Sequence, residues 1–142
     1  MTVRDVKGTP PALRSAGERT LVVMVCADMR EADLVGRQLM EVNTGCLVTY
    51  RRTEALRLNV PAGRIALVIL ATEDRPQTMR QTLRWLRRRW PRCVITVVGD
   101  TGCGAEEMAA REGGAAYLTR PVSPEQWLAV LAHALVEQSM PV

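Results

Sequence analysis

Residues 65–70 read Ile-Ala-Leu-Val-Ile-Leu, an unbroken apolar run set off upstream by Pro61 and Gly63. An apolar run of this length without polar alternation is the pattern of a strand covered on both faces, as in parallel sheets whose crossovers are helices. Downstream the period changes. Met79, Leu83, Leu86 and Trp90 recur at intervals of four, three and four, one apolar stripe of a helix over residues 76–90 that Pro91 closes. A strand followed by a helix is therefore the unit to look for in both directions.

Towards the N-terminus, Leu21–Cys26 (LVVMVC) is a second fully apolar strand, ending at Ala27 and Asp28. Ala32, Val35, Leu39 and Val42 follow at helical spacing until Asn43, Thr44 and Gly45 stop the helix. Cys46–Tyr50 (CLVTY) is a weaker strand, and Glu54–Leu58 a short helical segment. Towards the C-terminus, Cys93–Val98 (CVITVV) is a strand, and residues 105–112 form a helix ending at Gly113 and Gly114. Ala116–Thr119 is a brief strand. In the last helix Ser123 is the N-cap, Pro124 occupies the first position and Gln126 completes a capping box, with Leu128, Leu131 and Leu135 turned inward. Five strands alternating with helices require parallel pairing with right-handed crossovers, hence a three-layer α/β domain. The domain spans residues 20–139. Residues 1–19, with Gly8, Pro10, Pro11 and Gly17, read as a flexible tail, and 140–142 as a short C-terminal one.

Composition narrows the chemistry. The 142 residues suit one domain, and 47% apolar with 24% charged residues is ordinary for a globular protein. Phe is absent, so the core must be aliphatic. A net charge of +4 is too small to imply nucleic acid without a localised patch. Lys7 is the sole lysine, so past residue 7 no amine is available for Schiff-base or general-base work. Cys26, Cys46, Cys93 and Cys103 form no C-x-x-C pair and lie far from His133, which excludes a recognisable zinc site. The first three sit in apolar stretches as small hydrophobes, whereas Cys103, in a glycine-rich loop, is the one expected to be exposed. With neither a secretory h-region nor a membrane-length apolar run, the expected setting is a reducing cytoplasm.

Two stretches carry a family resemblance. Residues 82–98 (TLRWLRRRWPRCVITVV) resemble the third helix and fourth strand of response-regulator receiver domains. Residues 113–124 (GGAAYLTRPVSP) resemble that family's run of glycine, small residues, an aromatic and Leu-Thr-Lys-Pro. The resemblance covers roughly residues 21–138 and implies a flavodoxin-like (βα)5 fold with parallel strand order 2-1-3-4-5. It also implies where a phosphoryl pocket belongs: an aspartate ending the third strand, an acidic pair after the first to hold Mg²⁺, a Thr or Ser after the fourth and a Lys after the fifth. Those positions here carry Ala71, then Cys26, Ala27 and Asp28, then Val98, then Arg120. Ala71 removes the nucleophile, one carboxylate is left at the metal position, and a guanidinium is not equivalent to an ammonium. The resemblance thus implies a degenerate receiver with no catalytic residue and no cofactor, Mg²⁺ included. Its expected role is binding proteins: a histidine kinase, an output domain or another receiver, or a second copy through the face of fourth helix, fifth strand and fifth helix.

Candidate binding residues follow from charge and from the resemblance. Arg84, Arg87, Arg88, Arg89 and Arg92 form the strongest charge cluster, a pattern that is usually a solvated helix face. Trp85 falls off the apolar stripe of its helix, and an exposed Trp beside Arg84 and Arg88 resembles a binding hot spot. Nucleic acid is disfavoured because aromatics do not interleave with the arginines. Tyr117 falls at the aromatic switch position of receivers, and Trp127 belongs either to the same face or to the core. The loop Gly99–Gly104 matches neither G-x-G-x-x-G nor the P-loop. Two alternatives stay open: a true phospho-receiver using Glu73 or Asp74 with Asp28 and Mg²⁺, and a small-ligand or redox-sensing flavodoxin-like domain using Cys26 and Cys103.

Overall fold

The structure is a computed structural model that describes residues 2–5, 20–42, 45–71 and 75–139. In chain order the elements are β1 (Thr2–Asp5), β2 (Thr20–Cys26), α1 (Met29–Val42), β3 (Cys46–Tyr50), α2 (Thr53–Leu58), β4 (Arg64–Ala71), α3 (Pro76–Arg89), β5 (Val94–Gly99), α4 (Gly104–Glu112), β6 (Ala116–Thr119) and α5 (Pro124–Ser139). Among the described residues the sheet order is β1-β3-β2-β4-β5-β6, and every pairing from β3 to β6 is parallel. Counting only those five parallel strands gives 2-1-3-4-5, the flavodoxin-like order. The assignment of residues 1–19 to a tail needs correction at its start. Thr2–Asp5 pairs antiparallel with β3, Thr2 opposite Thr49 and Asp5 opposite Cys46, because the outer edge of β3 otherwise offers unpaired backbone groups. The rest of that tail, and residues 140–142, lie outside the described residues.

Both faces of the sheet are buried, which explains the unbroken apolar strands. Leu21, Val23 and Val25 of β2 join Val68 and Leu70 of β4 and Ile95 and Val97 of β5 in a core shared with Leu56, Met79, Leu83 and Leu86 of α2 and α3. Val22, Met24 and Cys26 point the other way, joining Leu67, Ile69 and Ala71 beneath Ala32, Val35 and Leu39 of α1 and Trp127, Leu131 and Leu135 of α5. A period of two along the strands thus feeds two separate cores. The alternation slips once. Leu21 pairs with Ile65 but Val22 pairs with Leu67, so Ala66 is an extra residue, and Ala66 and Leu67 both enter the α1–α5 core.

The capping box at α5 forms as the sequence suggests. The Gln126 backbone N–H donates to Ser123 Oγ at 3.1 Å, and the Ser123 N–H donates to Gln126 Oε1 at 2.9 Å. Upstream of that box, Arg120 directly follows β6, its backbone N–H donating to the Gly99 carbonyl oxygen at 2.8 Å, which places it at the C-terminal edge of the sheet. No helix among the described residues is long and apolar enough to cross a membrane.

Candidate functional site

Open α/β sheets leave a crevice at the carboxyl ends of their strands where the strand order reverses, here between β2 and β4. A cleft of about 550 Å³ lies there, lined by Ala27, Asp28, Glu31, Arg51, Arg52, Thr53, Glu54, Ala71, Asp100 and Arg120. The register places Cys26 beside Ala71, so the ends of β2 and β4 lie side by side on its floor. Of the six pocket positions read from the sequence, Ala27, Asp28, Ala71 and Arg120 line the cleft. Cys26 and Val98 do not; both are buried in the α1–α5 core beneath it. Ala71 shares that core but also reaches the cleft as the last residue of β4. Glu73 and Asp74 lie outside the described residues.

Arg120 dominates the cleft. Its Nε and one terminal nitrogen each donate to Glu31, at 3.1 Å, in a two-pronged ion pair, and the same terminal nitrogen reaches the Ala71 carbonyl oxygen at 3.2 Å. The other terminal nitrogen approaches Asp100 Oδ1 at 3.5 Å. Burial works against the Arg120 charge, but the hydrogen bond and field of Glu31, with Asp100 behind them, more than offset it and raise its pKa above the ordinary value. Glu31 was missed in the sequence because it sits one turn inside α1, three residues past Asp28, and only the fold brings it to Arg120. Asp28 has a local duty as the N-cap of α1, its Oδ1 accepting the Arg30 N–H at 2.9 Å.

Among the described residues, the cleft does not assemble a donor set for a divalent cation. Two of the cleft's carboxylates, Glu31 and Asp100, already face a guanidinium, and among the described residues no group of three His, Cys, Asp or Glu could hold a metal ion. The redox alternative meets a similar obstacle, since Cys26 is buried and Cys103 half-buried as the residue preceding α4.

Tyr117 leans inward. Its hydroxyl-bearing end closes on Gly99, so a side chain there would collide with the ring, and its buried hydroxyl has no hydrogen-bond partner among the described residues. Burial, followed by the fields of Cys103 and nearby carboxylates, raises its pKa above the usual tyrosine value. Trp127 is 1% exposed and belongs to the α1–α5 core, so it is not part of a binding surface. Trp85 is also corrected. It packs partly buried on the other core, edge-on to Trp90 with centroids 5.8 Å apart, and the Arg57 guanidinium covers its ring at 5.4 Å. Its angle on the α3 wheel points away from the main stripe, yet α2 lies on that side. Arg84 and Arg88 are exposed as expected, along a groove between α3 and α4.

No protein-family model and no curated protein matches the sequence. Solved structures do. The beryllofluoride-activated receiver domain of DrrB, a response regulator of Thermotoga maritima, superposes with a TM-score of 0.68 at 19% identity, over 84% of this chain and 98% of that one. The chemotaxis response regulator CheY4 of Vibrio cholerae gives 0.65 at 13% identity, over 82% and 98% of the two chains. An orphan response regulator of H. pylori gives 0.61 at 15% identity, over 84% and 97%. With the parallel strand order, the flanking helices and the position of the cleft, these likenesses establish that the chain has the receiver fold of two-component response regulators.

Proposed function

We propose that this chain is a phosphorylation-independent receiver-fold module that acts by binding other proteins and is not an enzyme. The observation that carries the reading is the Arg120 fork on Glu31. A receiver pocket needs a carboxylate nucleophile, a metal and a mobile cation that can swing to the phosphoryl group. Here Ala71 offers only a methyl group at the strand end, and the cation is already paired with Glu31 and Asp100 while donating to the Ala71 carbonyl oxygen. The cleft is therefore satisfied from within. Partners of the kind the resemblance implies are histidine kinases, output domains or another receiver. A second copy could meet the face of α4, β6 and α5, where Met108 and Val136 are exposed.

The test is an NMR titration of the full chain with Mg²⁺ and then with beryllofluoride, backed by mass spectrometry after acetyl phosphate. Amides of Asp28, Glu31, Ala71 and Asp100 are expected to stay where they are, with no added phosphate. Saturable shifts at those residues, or phosphate on Glu73 or Asp74, would restore a phospho-switch and overturn the proposal.

A further inference from the structure

The arginines of α3 are not equivalent. Residues 75–92 hold seven arginines and no acidic residue. Arg87 is committed to the fold: it donates to the carbonyl oxygens of Cys93 at 2.9 Å, Gly114 at 2.6 Å and Gly113 at 3.5 Å. Arg89 lies over the Trp90 ring at 5.9 Å, and Arg80 pairs with Glu112 at 3.5 Å. Arg84 and Arg88, four residues apart, are exposed and pair with no acidic side chain among the described residues. Both line a groove of about 490 Å³ between α3 and the C-terminal end of α4, together with Arg80, Leu83, Glu112 and Gly113. At Gly113 an added Cβ would lie 2.5 Å from Leu83 Cδ1, so the two helices touch at the groove floor.

We infer that this groove is a docking site for an acidic segment of a protein partner, with carboxylates one helical turn apart and an apolar residue between them. Side chains at i and i+4 stand about 5–6 Å apart at Cβ, so two such carboxylates can meet Arg84 and Arg88 together. Guanidinium–carboxylate forks supply the charge-assisted contacts, and an apolar side chain can rest on the Leu83–Gly113 floor. Charge complementarity selects this occupant. Glu112 at the rim opposes a continuous phosphate backbone, and Trp85 and Trp90, engaged with each other, leave no exposed aromatic on α3 for base stacking. The groove shares no lining residue with the Arg120 cleft, so peptide docking at the one and phosphate acceptance at the other are read out at different amides.

The experiment titrates the isotope-labelled full chain, at about 0.15 M salt where long-range attraction is screened, with a synthetic helical peptide carrying glutamates at i and i+4 around a leucine. Saturable shifts are expected at Arg84, Arg88 and Gly113, with affinity reduced at least about tenfold in R84E/R88E. That variant should bind the lysine version of the peptide instead. Because neither side chain pairs with an acidic group among the described residues, its unfolding midpoint serves as a control and should match the parent's. Shifts confined to other surfaces, undiminished binding by R84E/R88E, no saturation at millimolar peptide, or tighter binding of a thymidine oligonucleotide of equal charge would each overturn the assignment.

Discussion

Arg120 shows how one residue can change the character of a cleft. It is held by Glu31, whose side chain is 16% exposed, and its own is 25% exposed, so the pair is partly desolvated and worth more than a surface bridge. Arg120→Ala is expected to destabilise the fold by about 2 kcal/mol, because Glu31 then loses its partner without regaining full hydration. Glu31→Gln in the Arg120→Ala background should cost much less than in the parent, a non-additivity that a denaturant double-mutant cycle measures. Additive losses would mean that the fork contributes nothing. Tyr117 makes the opposite case, since its hydroxyl is buried and unpaired among the described residues. Tyr117→Phe removes a desolvated polar group and should leave stability unchanged or raise it by up to about 1 kcal/mol. Gly99→Ala should expel the ring, visible as altered ring-current shifts in the NMR spectrum and a loss of about 1–3 kcal/mol.

Among the elements, α3 decides the most. Its inner stripe of Met79, Leu83 and Leu86 anchors one core, and Arg87 ties the end of α4 and the start of β5 to the same helix. Arg87→Ala is predicted to lower stability by about 2–3 kcal/mol in urea unfolding, since three backbone carbonyls lose a charged donor. Its neighbour Arg88→Ala should change stability by less than about 0.5 kcal/mol, as befits an exposed side chain with no ion pair among the described residues. Equal effects at the two positions would show that the arginine face has no internal division of labour.

At the scale of the whole molecule, the two cores, which also take in Trp127 and Tyr50, shield three of the four thiols. Burial pushes Cys93 from 9.0 up to about 11, although the nearby Arg87 charge pulls the other way. A thiol raised in the fold contributes stability that is fully present below about pH 9 and is lost as pH rises through about 11. Stability should therefore fall over that alkaline window, less steeply in Cys93→Ala, as followed by urea unfolding at each pH. Near neutral pH, iodoacetamide should label Cys103 first in the native protein. Cys26, Cys46 and Cys93 should react only after unfolding, because all three are buried. Rapid native labelling of Cys93 would contradict the two-core arrangement.

The sequence by itself determined the alternation of elements, because burial on both faces writes unbroken apolar runs and helical stripes directly into residue order. It also showed the α5 capping box, whose partners are three residues apart, and it placed Ala27, Asp28, Ala71 and Arg120 at one cleft through the family resemblance. Only the tertiary structure decided the rest. Glu31 meets Arg120 across 89 residues, and no local pattern encodes such a pairing. The Ala66 bulge reads as just another apolar residue until β2 lies beside it. Trp85 was offered as a surface residue because a helical wheel gives an angle but not what packs there, and Trp127 was left open between face and core; Arg57 of α2 covers the first and the α1–α5 core takes the second. Edge strand β1 lacks an apolar run of its own and is held by backbone pairing to β3, so it left little trace in side-chain pattern.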